Sequence, residues 1–396
     1  MNEWGRRNGE WGRRRDHVDA PRAHRRSLFR LPHSAFRLRS GVTLVELMVT
    51  MAILAILAAA IYGATAAAME SSRLRRTQSL ITKLDNLLTE RWQSYETRRV
   101  EILFQNGTPQ GRALAFARLA ALRTTMMLEM PDRWSDLLGG IGATAGLPID
   151  NQMPSVATAP TEKSIGNMPL DDRANPSTTP ATVAYPPLAQ AYLRRYNSLT
   201  SSDPDVIRRN QGAECLYMII MYATGDGEAR TLFSEQDIDD TDGDGAPEFV
   251  DGWGRPIEFI RWPTGYVVRS DVMTGDAQTD HDPFDPFRVT PPVALEPVNP
   301  SRQTLIPTQY ANAMNGLVAG FRLLPLIYSR GADGDSDLTA LSSSTAPFNQ
   351  TFGYLDPYQL TRDPDLGDYY LGIPSDGDED GDEGWLDNVT NHNLGE

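Results

Sequence analysis

From Leu47 to Met69 the chain runs LMVTMAILAILAAAIYGATAAAM without a charge, and Glu46 is the one charged residue between Val42 and Met69. Roughly 20 such residues, rising 1.5 Å each, cross a hydrocarbon layer of about 30 Å. The run therefore predicts a membrane-spanning helix. Arg25, Arg26, Arg30, Arg37 and Arg39 precede it and outnumber Arg73, Arg75 and Arg76 after it. That asymmetry keeps the N-terminus cytoplasmic and puts the bulk of the chain across the membrane. No proline occurs between Pro32 and Pro109, and Gly63 is the one glycine between Gly41 and Gly107, so the helix is expected to continue past the membrane. Ile81, Leu84, Leu88, Trp92 and Tyr95 recur at spacings of three and four and predict an apolar stripe that packs on a globular head. A helix from Val42 to about Arg99 would be on the order of 85 Å long.

Charge and rare residues remove several function classes. Residues 1–41 hold eleven arginines against Glu3, Glu10, Asp16 and Asp19, a surplus of +7, which leaves −22 on the rest of a chain whose net charge is −15. An acidic body repels phosphates, so no nucleic acid partner is expected. Cys215 is the single cysteine, and only His281 and His392 of five histidines lie beyond residue 41. Thiolate clusters and polyhistidine metal centres are excluded for this chain alone. No nucleophile elbow, P-loop, paired metal histidines or dinucleotide glycine fingerprint appears in a supporting context, so the chain is expected not to be an enzyme. The contrasting expectation is an exported, single-span, membrane-anchored calcium-binding module or hydrolase, whose Ser-His-Asp chemistry would rest on His281 or His392.

Glu46 needs compensation, since an unpaired carboxylate in an apolar span costs about 3 kcal/mol or more. A cut between Gly41 and Val42 would make it the fifth residue, close to a new α-ammonium of its own or a neighbouring chain. Pairing between chains would also set the axial stagger of packed helices. Gly41-Val42-Thr43-Leu44-Val45-Glu46 followed by an apolar helix resembles the cleavage and methylation signature of type IV prepilins and pseudopilins. Val42 stands where that family usually has phenylalanine, and 41 residues is a long leader. The resemblance implies processing after Gly41 by a prepilin peptidase and methyltransferase, methylation at Val42, and self or mixed pseudopilin filaments. In those filaments Thr43, Leu44 and Glu46 belong to the assembly segment. It also implies an inner-membrane secretion platform as partner and a bacterial inner-membrane location with the head in the periplasm. An ordinary secretory signal cut near Ala66-Ala67-Ala68 and a plain single-span anchor are the alternatives.

The expected fold class is α+β: a long N-terminal membrane-spanning helix on a head with a small antiparallel sheet, a helical insert and acidic loops. The leader is 1–41, the membrane half of the helix 42–69 and its amphipathic half 70–100. A helical insert follows at 101–222, with a second helix at 111–130 ended by Pro131 and a proline- and threonine-rich linker at 140–187. The β head is 223–345 and the acidic tail 346–396. Ile257–Trp262 and Tyr266–Arg269 around Pro263-Thr264-Gly265 predict a hairpin. Leu323–Tyr328 is a third strand demoted to an edge by Pro325. Asp251-Gly252-Trp253-Gly254-Arg255-Pro256-Ile257 and Tyr328-Ser329-Arg330-Gly331-Ala332-Asp333-Gly334 are similar to two segments of type II secretion major pseudopilins. In this reading the glycines permit the turn, Trp253 anchors it on the core, and Pro256 starts an edge strand. The large minor pseudopilin that caps such filaments usually lacks the acid found here as Glu46, which points away from a tip role.

Calcium takes about six to eight oxygen ligands, and Asp-x-Asp-x-Asp-Gly with an acid at the twelfth position supplies them on one loop. Asp240, Asp242 and Asp244 with Asp251 meet that template, as do Asp376, Asp378 and Asp380 with Asp387. Asp333, Asp335 and Asp337 form a shorter cluster. The pseudopilin resemblance implies a structural calcium at Asp333 and Asp335. Between Asp333 and Glu396 fifteen acids face one arginine, Arg362, and such self-repulsion favours disorder unless ions neutralise it.

Overall fold

The computed structural model describes residues 43–138, 161–173, 177–223, 229–266, 280–291, 295, 317–339, 355–358, 361–363, 367–374 and 384–393. The expected processing pair, Gly41 and Val42, and Asp376, Asp378 and Asp380 of the second aspartate loop lie outside them. Helix α1 runs from Leu44 to Ser94, 51 residues, and a 3-10 turn at Tyr95–Thr97 follows it. The chain divides into two compact units, Met1–Ile61 and Tyr62–Glu396. In the first, residues 44–61 of α1 carry exposed side chains throughout, among them Leu44, Leu47, Ile53 and Ile56. Among the described residues α1 belongs to the one helix long and apolar enough to cross a membrane, and none of its apolar window is buried inside the protein.

In the second unit the apolar stripe is the spine of the core. Ile81, Leu84, Leu88, Trp92 and Tyr95 are all buried, as helical spacing places them on one face. They cluster with Met126, Met127 and Met130 at the end of α2 (Gly111–Glu129) and with Leu216, Ile219 and Ile220 of α6 (Gln211–Ala223). The methionines are packing residues, as their apolar neighbours imply. Between these helices lie α3 (Ser135–Leu138), α4 (Pro187–Tyr196) and α5 (Pro204–Arg209).

The proline-rich stretch read as linker holds two strands in its described part. β1 (Ile102–Phe104), β2 (Glu162–Pro169) and β3 (Thr178–Ala184) form an antiparallel sheet in the order β1-β3-β2. Along β3, Thr179, Ala181 and Val183 point inward, the period of two that a half-buried strand needs. Pro180 is tolerated in this middle strand because β1 ends opposite Ala181. In a strand both backbone groups of a residue face the same neighbour. The carbonyl of Pro180 is taken by the Gln105 amide at 3.1 Å, so the missing N–H faces the exit of β1 rather than a ladder partner.

Short two-stranded pairs follow: β4 (Ile238–Asp239) with β5 (Glu248–Phe249), and β8 (Thr361–Asp363) with β9 (Gly367–Tyr369). The second three-stranded sheet, β6 (Glu258–Ile260), β7 (Leu326–Ser329) and β10 (Val389–Thr390), bears on three expectations. Its order is β10-β7-β6, all antiparallel. First, the second strand of the expected hairpin lies beyond Tyr266, outside the described residues, and the partner that β6 shows is a distant one. β6 pairs with β7, Glu258 opposite Tyr328, while Pro263–Tyr266 is a turn whose Gly265 amide bonds the Leu371 carbonyl at 2.8 Å. Second, β7 is the central strand, because Pro325 falls one residue before it and removes no ladder hydrogen bond. Third, part of the acidic tail is built into the fold: β10 borders β7, and Asn391 accepts from the Ile327 amide and donates to Asp85 of α1 at 2.7 Å.

Candidate functional site

At the start of α1, Thr43 and Glu46 form a reciprocal cap. The Glu46 carboxylate accepts from the Thr43 amide at 2.9 Å and its hydroxyl at 3.1 Å, and the Thr43 hydroxyl accepts from the Glu46 amide at 3.2 Å. Two of the N–H groups that a helix start leaves without partners are thereby satisfied. Thr-x-x-Glu is a capping box in the sequence itself, so Glu46 has a local partner as well as any partner in a neighbouring chain. Thr43, Leu44 and Glu46 are all exposed.

The Asp251–Ile257 segment is a turn pressed onto the lower half of α1. Asp251, buried, accepts from the amides of Trp253 (2.8 Å) and Arg255 (3.0 Å) with one oxygen and from the Ser329 hydroxyl (2.6 Å) with the other. Gly254 has φ +83°, a left-handed conformation suited to glycine. Pro256 bridges Val250 in an isolated antiparallel pair rather than opening a strand. Trp253 is half-buried and is not a core anchor; its indole N–H bonds Glu70 of α1 at 2.9 Å. The Gly252 amide bonds the Thr77 hydroxyl at 2.9 Å, and a Cβ at Gly252 would lie 2.3 Å from the Arg73 carbonyl oxygen. Gly252→Ala is therefore expected to cost about 1–3 kcal/mol through forced separation of turn and helix. Thermal unfolding of the purified variant measures it, and an unchanged midpoint would contradict this packing.

The Tyr328–Gly334 segment is joined to that turn. Ser329 holds Asp251, and the Arg255 guanidinium donates to the carbonyls of Gly331 (2.8 Å), Ala332 (3.2 Å) and Asp333 (3.2 Å). Asp387, expected to close the second aspartate loop, accepts from the amides of Ala332 and Asp333 at 2.8 and 3.4 Å through one oxygen. Asp335 donates its amide to Asp333 at 3.0 Å. An arginine thus occupies the carbonyl cradle of this loop, and among the described residues Asp333 and Asp335 belong to no convergent group of three carboxylates.

The first aspartate loop, between β4 and β5, does converge, with different partners than its spacing implied. Asp251 is spent on the turn. Carboxylate oxygens of Glu214, Asp242 and Asp244 lie within 4.8 Å of one another, as do those of Asp240, Asp242 and Glu248. Gly243 (φ +77°) and Gly245 (φ +95°) allow the tight loop, and the amides of both bond Asp240 at 2.8 and 3.0 Å. Glu248 accepts from the Thr241 amide at 3.0 Å and from Asn210 at 3.3 Å. Glu214 reaches in from the first turn of α6 and accepts from the Trp134 indole N–H. Burial pushes Glu214 up to about 10, helped by the charge of Asp244, Glu248 up to about 8 and Asp244 to about 6, and it raises Asp242. Glu248 could have been suspected as a nearby acid in the same loop. Glu214 had no local signal.

Two other polar clusters are structural in geometry. Buried Arg261 donates to Asp136 at 2.8 Å and to the Met130 carbonyl at 2.6 Å, and Arg133 bonds Asp136 at 3.3 Å. His281 and His392 meet the backbone carbonyls of Asp285 (2.6 Å) and Pro325 (3.1 Å). No serine hydroxyl bonds either ring among the described residues.

The family described as the prokaryotic N-terminal methylation motif matches residues 36–62. No curated protein and no solved structure matches the chain. The match covers the helix start and the bare part of α1. With a helix long and apolar enough to cross a membrane, it supports a type IV pilin-like protein anchored by a single pass, of the kind processed by a prepilin peptidase and assembled into filaments.

Proposed function

We propose that this chain is a structural subunit of a pseudopilin filament serving type II protein secretion. It is cleaved after Gly41, methylated at Val42 and held in the bacterial inner membrane with its head in the periplasm. Its partners are further copies or related pseudopilins and the inner-membrane secretion platform, and it carries out no chemistry of its own. One observation carries the reading: the methylation motif at 36–62 ends within a helix whose residues 44–61 are entirely exposed and almost uncharged, with Glu46 at its head. Such a surface is stable in a lipid layer or against neighbouring helices, and only there. The choice of type II secretion leans on the Asp251–Ile257 and Tyr328–Gly334 segments, whose side chains interlock through Asp251, Ser329 and Arg255. Intact-mass analysis of protein extracted from its native membrane is the test. The expected product starts at a methylated Val42. Retention of the arginine-rich leader, or a start near Ala68, would overturn the proposal.

A further inference from the structure

We propose that the β4–β5 loop and the first turn of α6 together form a binding site for a hard divalent cation, calcium by ligand class, closed by Glu248 and Glu214 instead of Asp251. Asp242 belongs to both convergent triads, so the Glu214–Asp242–Asp244 group adjoins the Asp240–Asp242–Glu248 group through a shared carboxylate. In the first group Asp242 Oδ2, Asp244 Oδ2 and Glu214 Oε1 have no hydrogen-bond partner, and Glu214 and Asp244 are fully buried. A buried acceptor left unpaired is costly, and a charged one more so. Protonating one carboxyl gives one donor, which cannot serve three converging oxygens; a cation at their centre serves all of them.

Protein cations nearby do not fill that role. Arg195 is spent on the Gly245 carbonyl; it and Arg209 act on Asp244 and Asp242 only through longer-range charge, with no ion pair to the cluster among the described residues. An all-oxygen donor set excludes the metals that prefer thiolate or imidazole. Calcium accepts six to eight oxygens in flexible geometry, whereas magnesium demands a near-ideal octahedron and keeps several waters. A buried, carboxylate-crowded site favours calcium. The ligands come from two parts of the chain: Glu214 from the helical insert, the others from the hairpin that leads through β5 into the Asp251 turn. The cation would staple insert to head, and this holds whether or not the chain assembles.

The test uses the full chain in detergent, stripped with EGTA, and compares thermal midpoints with calcium chloride, magnesium chloride or EGTA alone. Calcium is expected to raise the wild-type midpoint by several degrees through preferential binding to the folded state, and magnesium by less. Glu214→Gln removes a ligand while keeping the size of the side chain and an acceptor for the Trp134 indole. Its midpoint in EGTA is expected to equal or exceed wild type, while its calcium response is largely lost. Asp242→Asn, which touches both triads, is expected to lower calcium affinity at least about tenfold in terbium-displacement titration, the equivalent of about 1.4 kcal/mol; Asp335→Asn is expected to leave it unchanged. A wild-type midpoint indifferent to calcium, an equal response to magnesium, or a calcium response preserved in both Glu214→Gln and Asp242→Asn would overturn the proposal.

Discussion

Replacing Glu129 by alanine is expected to destabilise the head by about 3 kcal/mol, the lower range for breaking a buried charge cluster from one side. Glu129, at the end of α2, is buried and accepts from Arg91 (3.1 Å), from the Tyr95 hydroxyl (2.7 Å) and from both terminal nitrogens of Arg98 (2.5 and 2.6 Å). These bonds tie α2 to the C-terminal end of α1, where Trp92 and Tyr95 enter the core. Burial holds the Tyr95 phenol above its ordinary pKa, so it stays a donor at neutral pH and would lose its acceptor. Arg91 and Arg98 retain partial access to water, which limits the penalty on their side. Glu129→Gln keeps an acceptor for Tyr95 and is expected to lose less than the alanine variant. Urea unfolding of the full chain in detergent measures both, and a loss under about 1 kcal/mol for alanine would rule out this clamp as a main fastening.

Glu46→Ala is expected to leave membrane insertion intact and to reduce filament recovery by at least about tenfold, the effect of losing about 1.4 kcal/mol per contact. Insertion is spared because removing a carboxylate makes the span more apolar. Assembly suffers because the charge that would pair with a neighbour's α-ammonium is gone. The Thr43–Glu46 cap complicates the alanine result, since its loss also frays the helix start by about 1 kcal/mol. Glu46→Gln separates the two effects: it retains an acceptor for the Thr43 amide but carries no charge. Recovery of sheared filaments at wild-type level from either variant would refute a role for the charge in stagger.

Legibility in the sequence followed the range of the interactions. The bare and buried parts of α1 could be read directly, because residues three and four apart share a face of a helix and need no distant information. The end of α2 before Pro131 and the core role of its methionines were legible for the same reason. Strands β6 and β7 were legible from Ile257–Trp262 and Leu323–Tyr328, but the pairing of the sheets was not. Leu326–Ser329 carries no mark that says its neighbours are Glu258–Ile260 and Val389–Thr390, and β3 was masked by Pro180, whose missing donor matters only once the length of β1 is known.

The candidate cation site divides the same way. Asp240, Asp242 and Asp244 were recognisable because glycine-rich aspartate loops have a fixed local spacing, and that spacing nominated Asp251 as the closing ligand. Folding gave Asp251 to Ser329 and the Trp253 turn, and brought Glu248 and Glu214 to the aspartates. What the residues alone determined, then, is the anchored helix, its processing motif and its apolar stripe, all products of local periodicity. Which acids converge, which strand lies in the middle and which glycine touches α1 were decided by tertiary packing, because each depends on segments far apart in the chain meeting in space.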